Sequence, residues 1–125
     1  MTRSLNDLSD RAKPIFFEFL ARLVEAGIPV MVIDVLRTRE EQAENIRKGV
    51  SWTTKSKHLP DATGKSNAID LCPFEIYALH GADKLQWNAS DDVWEKIGVI
   101  GEKLGLEWGG RWTKARDMGH FQYNL

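Results

Sequence analysis

Hydrophobic residues recur at helical spacing in two long segments of the chain. From about Leu5 to Ala26 the apolar side chains fall on one broad face, and Gly27 and Pro29 end the segment. The other segment begins at Ser90, an N-cap residue followed by two aspartates, and extends to about Leu104. We predict an amphipathic helix for each segment. In the first segment Pro14 fits only near a first turn or at a break, which favours a start of the regular helix there.

Shorter apolar runs predict β-strands. These runs are Val30–Leu36, Asn67–Cys72, Leu106–Trp108 and His120–Tyr123. After the first of them, Thr38 and Glu41 form a capping-box pattern, which predicts a short helix up to about Lys48. Arg37 then lies at a strand-to-helix junction, where its side chain can reach a cleft. Residues 50–65 are polar and rich in turn formers, which predicts a long loop of the kind that often carries function.

Composition narrows the class of protein. The 125 residues, 42% of them hydrophobic, suit a single domain over residues 1–125 with no separate binding domain. The net charge of −1 gives no electrostatic case for binding nucleic acid or an anionic membrane. No apolar run is long enough for a membrane span, and the first residues lack the apolar core of a signal peptide. We therefore expect a soluble protein without membrane insertion.

Cys72 is the only cysteine, so a disulfide within the chain and a CxxC zinc site are both excluded. Any metal ion must be held by histidine or carboxylate side chains. We interpret Cys72 itself as a small buried residue.

Asp70 is unusual because it lies inside a predicted apolar strand, where an unpaired carboxylate is costly. Alternation places Asp70 on one face of its strand, and it places His120 and Gln122 on one face of theirs. If the two strands are antiparallel neighbours, Asp70 and His120 converge, and His58 from the preceding loop can join them.

Two histidines and one carboxylate with an open fourth position are typical of catalytic zinc sites. The alternative is a set of unrelated roles: a hydrogen-bonded surface His58, an Asp70 paired with an arginine, and a His120 satisfied in the core. Sequence spacing does not decide between them, because metal sites assembled across loops have no fixed period.

Several sequence motifs along the chain favour the interpretation as a catalytic zinc site. They are the segment Arg37-Thr38-Arg39-Glu40-Glu41-Gln42, Ser56-x-His58, Ala68-x-Asp70, Trp108-Gly109-Gly110-Arg111-Trp112 and Asp117-x-Gly119-His120. Together they resemble the pattern of the VanY-like peptidoglycan peptidases, a zinc family of D-alanyl-D-alanine carboxypeptidases, dipeptidases and phage L-alanyl-D-glutamate endopeptidases. Two departures stand out: residues Asp61–Lys65 look inserted, with Ser66 at a position that is usually glycine, and Arg111 replaces a frequent aspartate.

The resemblance implies roles for particular residues. His58, Asp70 and His120 would bind one Zn²⁺ ion, and Asp117 would be the catalytic carboxylate. Arg37 would hold a substrate carboxylate or stabilise the oxyanion, the alternative being a surface salt bridge with Glu40 or Glu41.

Other residues are expected at the rim of the site. Ser56 would position the His58 loop or contact substrate, and Trp108 and Trp112 are candidates for a substrate groove. His80 matches no part of the pattern, and we interpret it as a surface histidine.

The sequence therefore predicts an α+β fold, a small antiparallel sheet with helices on one face and the zinc site on the other. The expected function is that of a monomeric phage endolysin that cleaves the L-alanyl-D-glutamate bond of peptidoglycan stem peptides. It would be made in the host cytoplasm and act on the cell wall after release. The alternatives are a D-alanyl-D-alanine carboxypeptidase or dipeptidase, and a non-catalytic zinc or cell-wall binding module.

Overall fold

A computed structural model describes residues 1–49, 56–75 and 84–124 of the chain. The prediction for His80 lies outside these residues. No helix in the described part of the chain is both long and apolar enough to cross a membrane.

The described strands form one four-stranded antiparallel sheet, which confirms the predicted fold class. The strands are β1 (Val30–Asp34), β2 (Ala68–Pro73), β3 (Glu107–Trp108) and β4 (His120–Gln122). Their order across the sheet is β1-β2-β4-β3, so the two strands that carry Asp70 and His120 are neighbours. This adjacency is the condition on which the predicted convergence of the two side chains depended.

The described α-helices are α1 (Ala12–Glu25), α2 (Arg39–Arg47) and α3 (Asp91–Lys103). The first has Pro14 in its first turn, as predicted. The part of the segment before it is not α-helical, because residues 5–7 form a separate 3₁₀ turn and the chain then runs beside Ser66. Ser9 donates its backbone N–H to the Ser66 carbonyl (2.9 Å), and its hydroxyl accepts the N–H of Ala12 (3.2 Å). A contact with a residue far along the sequence thus sets the start of the helix.

The hydrophobic core lies between the sheet and the helix pair α1 and α3. Phe19 of α1 packs against Phe121 of β4, with ring centroids 4.6 Å apart. Two glycines of α3 make this close packing possible: a Cβ on Gly101 would lie 2.7 Å from the Phe121 ring, and one on Gly98 would lie 2.3 Å from Trp108. Larger residues at either glycine would push α3 away from the sheet.

Helix α2 differs from the other two because it contributes no residue to the buried core cluster. Its predicted capping box is present, with Thr38 Oγ1 accepting the Glu41 N–H and Glu41 Oε1 accepting the Thr38 N–H, both at 3.0 Å. Gln42 is its only buried residue, and it faces Arg37 rather than the core. Its role is therefore to support the far side of the sheet, where the polar site lies.

The predicted insertion, Asp61–Lys65, is a compact turn organised by one carboxylate. Asp61 Oδ1 accepts the Thr63 N–H (2.8 Å), the Thr63 hydroxyl (2.6 Å) and the Lys65 N–H (3.1 Å). Its other oxygen, Oδ2, accepts from the amide of Asn67 (3.0 Å), whose own oxygen accepts from Ser9 (2.6 Å). The insertion is thus joined to both β2 and the start of α1.

Candidate metal centre

Three polar residues line up across the face of the sheet opposite the core. Asp34 of β1 is the cross-strand partner of Asp70 of β2, and Asp70 is the partner of His120 of β4. Two carboxylates directly opposite each other repel, so this row needs positive charge to be stable. That charge comes from His120 on one side and from Arg37 on the other.

The structure brings the three predicted ligands together. Asp70 Oδ1 lies 3.1 Å from His120 Nδ1 and 3.2 Å from His58 Nε2. One donor atom from each residue lies within 4.8 Å of the other two, a spacing that allows all three to bind one metal ion.

His58 is held in a fixed orientation by the loop that precedes β2. Its Nδ1–H donates to the Val35 carbonyl (2.9 Å), and its backbone N–H donates to the Ser56 hydroxyl (3.2 Å). The ring is only 1% exposed, and Nε2 is buried without a hydrogen-bond partner. An orphaned imidazole nitrogen beside a carboxylate is the arrangement expected of a metal ligand whose other nitrogen is fixed by a backbone carbonyl.

His120 is oriented by a chain of polar contacts that leads around the rim of the site. Its Nε2–H donates to Gln122 Oε1 (2.8 Å), which directs Nδ1 towards Asp70. The Gln122 amide donates to Asn124 (2.9 Å), and the Asn124 amide donates to Glu107 (2.8 Å). Glu107 also accepts from Trp112 Nε1 (2.8 Å), and the Trp112 ring centroid lies 5.0 Å from that of His120. The network therefore returns to the histidine where it began.

Asp70 and His120 each favour the charged form of the other. Burial alone would raise the pKa of Asp70, but the hydrogen bond with His120 and the close approach of His58 outweigh burial and hold that pKa well below its usual range. Burial would lower the pKa of His120, and the hydrogen bond and charge of Asp70 raise it instead. A protonated His120 would have to lose its proton to bind a metal, so metal binding should release protons.

The donor set fits a divalent metal ion. Two imidazole nitrogens and one carboxylate oxygen suit zinc with a fourth position open to the cleft. Asp70 presents Oδ1 to the histidines, while Oδ2 lies 3.7 Å from Arg37 Nη2. The sequence left open whether Asp70 belongs to a metal site or pairs with an arginine. In the structure it contacts both histidines and also lies near Arg37.

Arg37 is held between the two aspartates rather than by Glu40 or Glu41. Its Nε donates to Asp34 Oδ2 (3.1 Å), its Nη2 donates to the same oxygen, and its Nη1 donates to Gln42 Oε1 (2.6 Å). Asp34 is 3% exposed, so the pair is buried. Each terminal nitrogen of Arg37 keeps one N–H group that these bonds do not use.

A cleft of about 1110 Å³ lies over this site. Arg37, Ser56, Trp112 and Asp117 line it together with the three predicted ligands. Asp117 is exposed at its wall, and loss of water around the carboxyl, together with the nearby negative charge of Asp70, raises its pKa. The predicted site residues therefore converge on one cleft, with a single exception.

The exception is Trp108, which does not line the cleft. Its side chain is 1% exposed, its Nε1–H donates to the Met118 carbonyl (2.7 Å), and its ring lies against Gly98 and Gly110. The prediction of a substrate-binding Trp108 is corrected to a core anchor, because the two glycines open a space in the core that the indole fills.

Sequence reasoning missed three residues of the site: Asp34, Gln42 and Gln122. Asp34 carries the same signal that singled out Asp70, an aspartate within an apolar run. Alternation placed Gln122 on the same face of its strand as His120, but it did not show that Gln122 orients the histidine. Gln42 is the last residue of the motif that begins at Arg37, but the motif alone does not show that its side chain holds Arg37.

Comparisons with known proteins agree with this geometry. The profile of a peptidase family described as D-alanyl-D-alanine carboxypeptidase matches residues 49–123. The chain is 30% identical over 122 residues to the L-alanyl-D-glutamate peptidase of Listeria phage A118, a match that covers 97% of this chain and 40% of that relative. The chain thus spans well under half the length of the curated relative.

A solved structure is similar over nearly the whole chain. It is the L-Ala D-Glu endopeptidase ChiX of Serratia marcescens, with a TM-score of 0.70 and 25% sequence identity, over 96% of this chain and 83% of that one. The resemblance inferred from the motifs is thereby confirmed. The family profile matches more than half of the chain, including His58, Asp70 and His120. This chain therefore belongs to the peptidase family described as D-alanyl-D-alanine carboxypeptidase.

Proposed function

We propose that this protein is a zinc peptidase that hydrolyses the L-alanyl-D-glutamate bond of peptidoglycan stem peptides. The observation that carries the proposal is the convergence of His58, Asp70 and His120 at the floor of one cleft, with Asp117 at its wall. A bound zinc ion would act as a Lewis acid and make a water molecule nucleophilic near neutral pH. The remaining steps are those of the protein's own side chains.

Asp117 is the proposed general base and then general acid. Its carboxylate accepts a proton from the attacking water as the C–O bond forms, and it returns the proton to the leaving amine as the C–N bond breaks. The raised pKa of Asp117 favours this exchange, because a carboxyl group that releases its proton too readily is a poor acid for an amine.

Arg37 is the proposed stabiliser of the negative charge that develops on the carbonyl oxygen. Its guanidinium is fixed before substrate arrives, since Asp34 and Gln42 occupy three of its five N–H groups. A fixed donor needs no reorganisation during the reaction, which is the basis of electrostatic stabilisation in enzymes. Ser56 contributes by holding the backbone of His58.

The choice of bond is supported by the two relatives, since both the phage protein and the Serratia enzyme are named for L-alanyl-D-glutamate cleavage. We also propose that the protein acts on the cell wall in host cell lysis and that it works as a monomer; the phage origin of one relative supports the lytic role. A D-alanyl-D-alanine carboxypeptidase is the second candidate, favoured by the description of the matching family.

Digestion of purified peptidoglycan tests the proposal. Zinc-loaded protein and a chelator-treated sample are compared by mass spectrometry of the released fragments. We expect new N-terminal D-glutamate with zinc and none after chelation. Release of free D-alanine would instead establish the second candidate, and release of neither product would rule out both peptidase activities.

A further inference from the structure

Five cationic side chains line the cleft: Arg37, Lys57, Arg111, Lys114 and Arg116. Two of them are already engaged. Arg37 is paired with Asp34, and Arg111 donates to Glu95 (2.6 and 3.1 Å) and Glu102 (3.0 and 3.2 Å). The remaining three, Lys57, Lys114 and Arg116, form no ion pair with any residue that the structure describes. We call these three the free cations of the cleft.

The acidic residues of the cleft do not balance this charge. Asp34 faces Arg37, and Asp70 faces the histidines. Glu107 and Asp117 are the two exposed carboxylates of the cleft, and Glu107 accepts hydrogen bonds from Trp112 and Asn124. With a divalent metal ion on the floor, the cleft carries an excess of positive charge. Such a cleft selects ligands with negative charge.

Arg116 is the free cation whose position is best defined. Its Nε–H donates to the Gly110 carbonyl (3.0 Å), and the N–H of the next residue, Asp117, donates to the Gly109 carbonyl (3.0 Å). Two adjacent residues are thus tied to two adjacent glycines, which fixes the guanidinium relative to the Asp117 backbone. Ala115, just before them, has a φ of 52°, a conformation that is costly for an L-residue and that sets the course of the loop.

The chemistry of the substrate supplies a matching anion. In peptidoglycan stem peptides D-glutamate continues the chain through its γ-carboxyl group, so its α-carboxylate is free. This carboxylate lies two bonds from the nitrogen that becomes the leaving amine. A D-alanine cleaved from a C-terminus carries a free α-carboxylate in the same place, so one cationic site would serve either reaction.

We propose that Arg116, assisted by Lys114 and Lys57, binds the free α-carboxylate of the D-residue on the leaving side of the scissile bond. The inference rests on the proposed function, because Asp117 must deliver a proton to that residue's amine. The amine beside Asp117 places the α-carboxylate beside the neighbouring Arg116. The guanidinium presents a planar pair of terminal nitrogens, which suits a carboxylate.

The test exploits a single chemical change, amidation of the α-carboxylate. Two peptides are compared as substrates for the zinc-loaded protein: one contains L-alanyl-D-glutamate and the other L-alanyl-D-isoglutamine, each continued through the γ-carboxyl to L-lysine. We expect wild type to prefer the glutamate peptide in kcat/KM by about tenfold, the scale of one charged hydrogen bond in a partly exposed site. Arg116→Gln should abolish the preference by slowing only the glutamate peptide, mainly through KM.

Two further variants make the result specific. Arg116→Lys keeps the charge but loses the fork, so it should retain part of the preference. Arg111→Gln removes a cation from the same cleft that is already paired with Glu95 and Glu102, and it should leave the ratio of the two substrates unchanged. Circular dichroism and zinc content verify that each variant is folded and loaded.

The possible failures are distinguishable. Equal cleavage of both peptides by wild type, or an unchanged preference in Arg116→Gln, would overturn the inference and leave the proposed function intact. An equal loss on both peptides in Arg116→Gln would also overturn it, since a carboxylate contact acts on one substrate only. Cleavage of neither peptide by wild type would overturn the proposed function and the inference together.

Discussion

The two sides of the cleft are built in opposite ways. The floor consists of side chains on neighbouring strands and on a loop joined to them by hydrogen bonds, and His58 and His120 are both buried there. The wall formed by residues 113–117 is exposed, includes a residue with positive φ, and is tied to the rest of the protein through Gly109 and Gly110. A rigid floor suits a metal ion, whose ligands need fixed geometry, whereas an exposed wall can change its side chains without disturbing the sheet.

From this contrast we expect substitutions on the floor to weaken metal binding. Substitutions on the wall should instead reduce the rate of hydrolysis or the preference between substrates. The largest effect is expected from His58→Ala. Without a bound metal ion nothing lowers the pKa of the attacking water to about 7, so hydrolysis should fall by about 10³-fold or more. Metal analysis after dialysis should find substoichiometric zinc in this variant. A His58→Ala protein that still bound one zinc ion tightly would show that His58 is not a ligand.

Asp117→Ala probes the wall. We expect a 10²- to 10⁴-fold fall in kcat, roughly the contribution of a positioned acid–base group, with zinc content and fold unchanged. Asp92→Ala, which removes an exposed carboxylate from the first turn of α3, is the matched control and should retain full activity. Full activity in Asp117→Ala would show that Asp117 has no part in the mechanism. Loss of zinc would show that it contributes to metal binding instead.

Gln122→Leu tests whether the floor depends on residues behind the ligands. Loss of the acceptor for His120 Nε2–H frees the imidazole to rotate, so zinc affinity should fall by about 10- to 100-fold. Competition with a chromophoric chelator measures this affinity. Asn124→Leu, one step further along the same network, should have a smaller effect. Equal effects for the two variants would mean that the network acts as a whole rather than through His120.

Local rules recovered most of this architecture from the sequence. Alternation along two strands placed Asp70 and His120 on faces that could meet, and the observed register pairs them directly. The capping box at Thr38 also located the start of α2. Both predictions needed only residues close in sequence.

The features that could not be predicted depend on contacts between distant residues. Ser9, just before α1, is hydrogen-bonded to Ser66, and Trp108 is buried because Gly98 lies against its ring. The pairing of Arg37 with Asp34 required knowledge that Asp34 and Asp70 are cross-strand partners, so that a cation must lie between them. Periodicity in the sequence carries no information on such meetings.

The smallest effect is expected from a substitution in the inserted turn, Asp61–Lys65, whose Asp61 carboxylate is hydrogen-bonded to Asn67. Hydrogen bonds from Thr63, Asn67 and Lys65 to the Asp61 carboxylate outweigh its slight desolvation and lower its pKa to about 2. A lowered pKa in the folded state means that the carboxylate stabilises the fold above the unfolded-state pKa, near 3.8, and that this contribution disappears as the pH falls towards 2. Asp61→Asn should therefore lower the free energy of unfolding at pH 7 by about 1 kcal/mol or less, because solvent screens the exposed part of the site.

Urea denaturation of wild type and Asp61→Asn at pH 7, 4 and below 3 follows that contribution. The difference between the two proteins should be constant from pH 7 down to about 4 and then vanish, since the protonated aspartate no longer accepts hydrogen bonds as a charged group. Hydrolysis at pH 7 should change little, because Asp61 touches the turn and Asn67 rather than a metal ligand. A difference in stability that persisted at low pH would show that Asp61 holds the turn by shape alone. A large loss of zinc affinity would mean that the insertion supports His58 directly and belongs to the rigid floor.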